Sequence, residues 1–170
     1  MAQAVEATAN TPAYKPLIDN IISTVRNISH SLSPPGLALF GLENTLHELF
    51  DNFNAAGKIK VNFENELGEK IDSFGEQTAL ALYRIIQELM TNTVKHADAG
   101  NILIRCFEED NNCIISYQDD GKGIDITKGW KNGMGMQNIE ARLNMIHAAS
   151  EMPAAAKGFF IKIILPGTPV

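Results

Sequence analysis

The sequence is short of cysteine, of long apolar runs and of excess positive charge, and each shortage excludes something. Two cysteines in 170 residues cannot build a disulfide scaffold. Cys106 and Cys113 have neither C-x-x-C spacing nor a neighbouring histidine pair, so they read as buried thiols in adjacent strands. A cross-strand disulfide is the competing reading, which a reducing cytosol disfavours. No apolar run approaches the roughly 20 residues that a bilayer-spanning helix needs. Met1 to Pro16 also lacks the basic-then-apolar order of a signal peptide. The expected location is cytoplasmic, with a membrane anchor elsewhere in a full-length protein left open. Fourteen basic residues against 20 acidic ones give a net charge of −6. That is no footprint for duplex nucleic acid or an anionic membrane, so nucleic acid is not an expected partner. What remains is an ordinary globular composition, 45% hydrophobic and 20% charged, sufficient for one core with a helical appendage.

Hydrophobic periodicity divides the chain. Met1 to Pro16, rich in Ala, Thr and Pro without an apolar period, reads as a disordered lead-in. After it, Ile18, Ile21, Ile22, Val25, Ile28 and Leu32 form one stripe on a helix from Leu17 that Pro34-Pro35 must end. A second amphipathic helix carries Leu42, Leu46, Leu49, Phe50 and Phe53 and stops at Gly57. Lys58 to Glu64 alternates as a half-buried strand does, with Ile59, Val61 and Phe63 on one face. Glu76 to His96 is the longest helical pattern. Asn101 to Glu108 and Cys113 to Asp119 are strands joined by a polar hairpin tetrad, Glu109 to Asn112. A glycine-rich stretch from Gly121 to Gly135 leads into a helix with Met136, Ile139, Leu143 and Ile146 inside, and Gly158 to Leu165 is a last strand. The predicted class is α+β, a two-layer α/β sandwich with helices on one side of a mixed sheet, preceded by a helical stub.

Three motifs carry chemistry. On the long helix Arg84, Glu88, Asn92 and Lys95 fall at i, i+4, i+8 and i+11, opposite the apolar face of Leu82, Ile86 and Leu89. A carboxylate, an amide and an ammonium in one line suit a magnesium-bound polyphosphate, although a solvated helix face has the same composition. Asp119-Asp120-Gly121-Lys122-Gly123 is a D-x-G-x-G turn at a strand end. Its glycines lack the β-carbons that would keep a planar ligand off the backbone, and its acceptor-only Asp can receive an amino group. A plain strand-ending turn is the alternative. Gly133-Met134-Gly135-Met136-Gln137-Asn138 opens a helix, where free N–H groups and the helix dipole attract phosphate. The dinucleotide fingerprint would need a preceding strand and a glycine where Asn138 stands.

Together and in this order, the three motifs resemble the asparagine box and the two glycine boxes of the ATPase superfamily shared by histidine kinases, Hsp90, gyrase B and MutL. The resemblance covers the stretch from Lys58 to Pro166. Residues 88 to 96, Glu-Leu-Met-Thr-Asn-Thr-Val-Lys-His, and 135 to 143, Gly-Met-Gln-Asn-Ile-Glu-Ala-Arg-Leu, are similar to the NarX- and DesK-like histidine kinases. The resemblance implies a Bergerat-type ATP-binding fold with ATP and Mg²⁺ as ligands. It implies Asn92 as the magnesium ligand, Glu88 as general base, Lys95 and His96 at the phosphates, and Asp119 on the adenine amino group. Gly121 and Gly123 would shape the base pocket, and Gly133 and Gly135 would hinge a lid. The implied partners are a response regulator, the phosphoacceptor helix of the same kinase and a second copy in a full-length homodimer. Only nine residues, Ile124 to Asn132, separate the glycine pairs, so the lid is short; Trp130 within it is either a mobile cover or a half-buried anchor.

His30 is the obvious candidate acceptor, and spacing argues against it. Ser31 follows it where the family places an acidic residue, and Pro34-Pro35 ends the helix. The 61 residues between His30 and Asn92 are already filled by a helix, a strand and the start of the motif helix. No room remains for a long return helix, so residues 17–35 resemble the end of the second dimerisation helix, 36–170 the catalytic domain, and the chain is expected to bind nucleotide yet autophosphorylate poorly. His47 and His147 read as surface or packing residues, with no metal-ligand spacing. Two other readings are an anti-sigma-factor-like serine kinase on the same fold and a non-catalytic docking or dimerisation module.

Overall fold

A computed structural model describes residues 34–123, 134–153, 155 and 157–166. The chain divides into two compact units, Met1–Pro34 and Pro35–Val170, and apart from Pro34 the described residues are those of the second. The lead-in, the stripe from Leu17 to Leu32 and His30 lie outside the described residues. Among the described residues, three helices and five strands follow one another as α1 (Pro35–Ala55), β1 (Lys60–Asn65), a 3₁₀ turn (Gly68–Ser73), α2 (Glu76–Asn92) continued by a π turn (Thr93–Ala97), β2 (Asn101–Glu109), β3 (Asn112–Asp119), α3 (Met134–Met145), β4 (Ala149–Glu151) and β5 (Phe160–Pro166).

The sheet order is β1-β2-β3-β5-β4. β1 runs parallel to β2, and the remaining pairs are antiparallel. The parallel pair needs a crossover, which the 3₁₀ turn and α2 supply. Inward-facing Ile102, Ile104 and Cys106 on β2, Ile115 and Tyr117 on β3, and Ile161, Ile163 and Leu165 on β5 meet the apolar faces of the helices in one core. α2 contributes Leu82, Ile85, Ile86 and Met90, all fully buried; side chains of this kind each stabilise a fold by about 1.5–3 kcal/mol when removed from water. The expected mixed-sheet sandwich is what forms.

Several boundaries differ from expectation, each for a local reason. Pro35 is the first residue of α1, where its missing N–H costs nothing. α1 is interrupted at Gly41, whose φ of 80° and ψ of 179° are non-helical. The amide of Glu43 then donates to Asp72 Oδ1 at 2.9 Å, so the 3₁₀ turn caps the second part of α1 from 29 residues away. Gly57, at φ 70°, ends the α1 segment as expected. The edge strand β1 is protected by Asn54, whose amide group both accepts from Val61 N at 2.8 Å and donates to Val61 O at 3.3 Å. The hairpin is tighter than the tetrad reading: Asp110 and Asn111, at φ 49° and 63°, form a two-residue turn of the kind that matches strand twist. β4 was not anticipated, and all three of its residues are exposed. His47 packs edge-on against Phe63, with ring centroids 5.2 Å apart, and exposed His147, at φ 54°, ends the α3 segment.

Both cysteines are free. Cys106 is buried and Cys113 half-buried, and the register pairs them with Ile115 and Glu108 rather than with each other. Burial pushes the Cys106 thiol up to about 12 and raises that of Cys113 by the same cause.

Two expectations follow from these features. A β-carbon at Gly41 would sit 2.5–2.9 Å from the Asp72 carboxylate, in a backbone region essentially restricted to glycine. Gly41→Ala should therefore lower stability by about 1–3 kcal/mol, seen as a reduced urea midpoint at unchanged slope; an unaltered midpoint would contradict the capping role of Asp72. At pH 8 a thiol reagent should label half-buried Cys113 well ahead of Cys106, and equal labelling rates would contradict the burial assigned to Cys106.

Candidate functional site

The site begins where β3 ends. Alternation along a strand places Tyr117 and Asp119 on the helix-facing side and sends Asp120 to the other. Asp120 accepts from Gly100 N at 2.8 Å, Asn101 N at 2.9 Å and Asn101 Nδ2 at 2.9 Å. The Asn101 side chain and these backbone N–H groups hold its carboxyl down to about 2. Stability linked to that depression is present above the ordinary carboxylate range and is lost as pH falls through about 2. Asp120 thus fastens the start of β2, and Asp119 alone faces the interior.

Asp119 is 3% exposed. Its Oδ1 accepts from the amides of Gly121 at 3.0 Å and Phe159 at 3.2 Å, and its Oδ2 accepts from Thr93 Oγ1 at 2.8 Å. A carboxylate has about four acceptor positions, so three are filled. Thr93 comes from the π turn, which breaks the α2 pattern just after Asn92 and ends at Asp98 with φ 54° and ψ 40°. A π turn adds a residue to the helix circumference and often marks functional positions. Here Thr93 is buried while Val94, Lys95 and His96 are exposed.

The glycines permit close backbone passes. A β-carbon at Gly121 would collide with the Ala97 carbonyl and side chain, and the Lys122 amide donates to that carbonyl at 2.8 Å. Gly121 therefore clamps the turn to the end of the motif helix. Gly123, at φ 74°, would bring a β-carbon within 2.7 Å of the Gly158 carbonyl. Gly158, at φ 75°, would drive one into the Asp119 backbone and to 3.0 Å from Asp119 Oδ1.

A cavity of about 470 Å³ opens beside Asp119. Leu89, Ala97, Met136 and Phe159 give it apolar walls, and Asn92, Lys95 and His96 give it polar ones. Gly123 and Gly135 also line it. The structure therefore brings Asn92, Lys95, His96, Asp119, Gly123 and Gly135 to one cavity. Glu88 stands at its edge: a β-carbon on Gly135 would strike the Glu88 carboxylate and lie 3.3 Å from Asn92 Nδ2. The Asn92 amide nitrogen faces Met136 Sδ at 3.9 Å, which leaves its oxygen end for a ligand. Arg84, first in the polar stripe, instead bonds Gln87 Oε1 at 2.7 Å away from the cavity. Gly133 and Trp130 lie outside the described residues. Thr93, Phe159, Gly158 and Met136 belong to the site without having been singled out for it. Among the described residues no cluster of three or more His, Cys, Asp or Glu is placed to hold a metal ion, and no helix is long and apolar enough to cross a membrane.

Comparison with known proteins agrees with this geometry. Residues 77–166 match the histidine kinase-, DNA gyrase B- and HSP90-like ATPase family. The chain is 29% identical over 141 residues to the signal transduction histidine-protein kinase/phosphatase DegS of Brevibacillus brevis, a stretch covering 83% of this chain and 36% of that protein. It is 32% identical over 147 residues to the sensor histidine kinase ComP of Bacillus subtilis, covering 84% of this chain and 19% of that one. The chain thus spans only about a fifth to a third of the length of these relatives. Its fold is similar to that of the histidine kinase domain of an Erythrobacter litoralis blue-light-activated histidine kinase, with a TM-score of 0.63 at 21% identity over 74% of this chain and 60% of that one. The chain belongs to the histidine kinase-, DNA gyrase B- and HSP90-like ATPase family, among relatives that are sensor histidine kinases.

Proposed function

We propose that residues 36–170 are the ATP-binding catalytic domain of a two-component sensor histidine kinase, and that residues 17–35 are the end of its second dimerisation helix. The observation that carries this reading is the meeting of all three motifs at one cavity, with the buried Asp119 carboxylate at its base. The fourth acceptor position of Asp119 receives the adenine amino group, and Phe159, Leu89 and Met136 flank the ring. Exposed Lys95 and His96 meet the phosphates at the polar side. Asn92 offers its amide oxygen to Mg²⁺, which fits a hard cation that takes most of its ligands from phosphate and water. Magnesium, when bound, neutralises charge on the β- and γ-phosphates.

The acceptor histidine lies on a helix that this chain does not supply. Its imidazole nitrogen forms a bond to the γ-phosphorus as the bond to the bridging oxygen breaks, ADP leaves, and Glu88 takes the imidazole proton. The domain contributes orientation and electrostatics more than covalent chemistry. A response regulator is the onward partner, the full-length protein is a homodimer, and its location is cytoplasmic. The sensor histidine kinases among the relatives favour this over a serine kinase, and the intact set of boxes favours it over a non-catalytic module.

Asp119→Asn replaces an acceptor by a donor. ADP affinity should fall by about 10- to 100-fold, the scale of one hydrogen bond to a charged group; undiminished affinity by isothermal titration would sink the adenine assignment. In Asn92→Ala, ADP binding should no longer respond to Mg²⁺, and a retained Mg²⁺ response would remove Asn92 from the cation site. With radiolabelled ATP the chain alone should stay unlabelled, whereas a version extended to include the upstream helix should label there. Label on His30 would overturn the spacing argument.

A further inference from the structure

Behind Asp119 stands a tyrosine that the family motifs do not include. Tyr117 is 1% exposed, two residues before Asp119 on the same face of β3. Its hydroxyl lies 2.7 Å from Thr93 Oγ1, and Thr93 Oγ1 lies 2.8 Å from Asp119 Oδ2. A threonine hydroxyl carries one proton. If Asp119 accepts it, the contact with Tyr117 must run the other way, with the tyrosine O–H donating to Thr93. Burial raises the Tyr117 hydroxyl above its ordinary range, which keeps it a donor. The three side chains form a directed chain: Tyr117 donates to Thr93, and Thr93 donates to Asp119.

Direction matters because Thr93 has another option. A threonine within a helix can turn its hydroxyl back to the carbonyl four residues earlier, here that of Leu89. Tyr117 occupies the Thr93 oxygen as a donor and so favours the rotamer in which the threonine proton points at Asp119. With Gly121 and Phe159 donating to Oδ1, the carboxylate then faces donors on both oxygens and offers the cavity an acceptor only. We propose that Tyr117 is a positioning and specificity-determining residue of the nucleotide site. Through Thr93 it holds the Asp119 carboxylate in the orientation that turns its remaining acceptor position to the cavity, and so favours a purine bearing an exocyclic amine over one bearing a carbonyl. The inference rests on the nucleotide-binding reading above and assigns it a residue outside the motifs.

The Tyr117 ring has a separate task. It lies 6.4 Å, centroid to centroid, from Phe159, which walls the cavity. Tyr117→Phe keeps that ring and removes only the donor, so packing and relay are separable. Inosine diphosphate provides the matched ligand, with a carbonyl in place of the adenine amine.

Isothermal titration of the full chain with ADP and inosine diphosphate tests the idea. The wild type should prefer ADP. Tyr117→Phe should weaken ADP by roughly fivefold, the scale of one net hydrogen bond, and inosine diphosphate by less than about twofold on the same scale, so that the ratio collapses. Thr93→Val should erode the ratio as well, Thr93→Ser should retain it, and adding Tyr117→Phe to Thr93→Val should cost little more, as coupled residues do. An unchanged ADP/inosine diphosphate ratio in Tyr117→Phe overturns the relay, as does an equal loss of both ligands, which marks a packing role. Should Tyr117→Phe fail to fold, the Thr93→Val and Thr93→Ser pair decides by the same ratio. A wild type that binds neither ligand overturns the nucleotide reading itself, whereas ADP binding with unaltered variants sinks only the relay.

Discussion

A carboxylate shut away from water costs several kcal/mol unless donors replace the lost solvent, and the architecture of this site follows from satisfying Asp119. Its three donors come from three places in the chain: Thr93 at the end of the motif helix, Gly121 in the turn after β3, and Phe159 at the threshold of β5. None is a neighbour in sequence except Gly121. The carboxylate is therefore satisfied only when the helix, the glycine turn and the last strand are all in register, and the same condition assembles the cavity. Losing one donor would leave a buried acceptor short of a partner and loosen a wall as well.

That constraint explains glycines that a pocket-shaping role alone does not. Gly121 and Gly158 stand where a β-carbon would meet the Ala97 carbonyl and the Asp119 backbone respectively. Both positions face protein, not ligand. Their smallness lets two backbones come close enough for amides to reach one side chain. Gly135 does the same between helices, allowing the start of α3 to press against Glu88 and Asn92. The cavity is thus an outcome of close packing around a polar group, and its apolar walls are the ordinary core continued to the edge of the sheet.

Much of this was legible in the sequence because the periodic signals are strong. The alternation of Ile59, Val61 and Phe63, and the three-and-four spacing of Leu82, Ile86 and Leu89 on α2, named inner faces that the core uses. The motif residues Asn92, Lys95, Asp119, Gly123 and Gly135 were legible by spacing and His96 only through the family resemblance, and these six line one cavity. What escaped notice depends on contacts distant in the chain. Asp72 reaches Glu43 across 29 residues, Phe159 reaches Asp119 across 40, and Thr93 reaches Tyr117 across 24. No local pattern encodes such a pairing. β4 escaped for the opposite reason: its three residues bury nothing, so they leave no hydrophobic imprint. The π turn has no composition of its own and shows only in which side chains it buries.

The alternation of β3 finally accounts for why two adjacent aspartates have different work. Asp120, on the outward side, accepts three hydrogen bonds from Gly100 and Asn101 and pins the beginning of β2, which in turn fixes where the motif helix must end. Asp119, on the inward side, keeps one acceptor position open toward the cavity. Exchanging their registers by a single residue would turn Asp119 to the outward face and Asp120 toward the core, because a one-residue slip turns every side chain to the opposite face. The hairpin turn at Asp110 and Asn111 sets that register from the far end of the strand pair. The turn therefore acts on the site at a distance: by holding β2 and β3 in step, it decides which carboxylate faces the cavity.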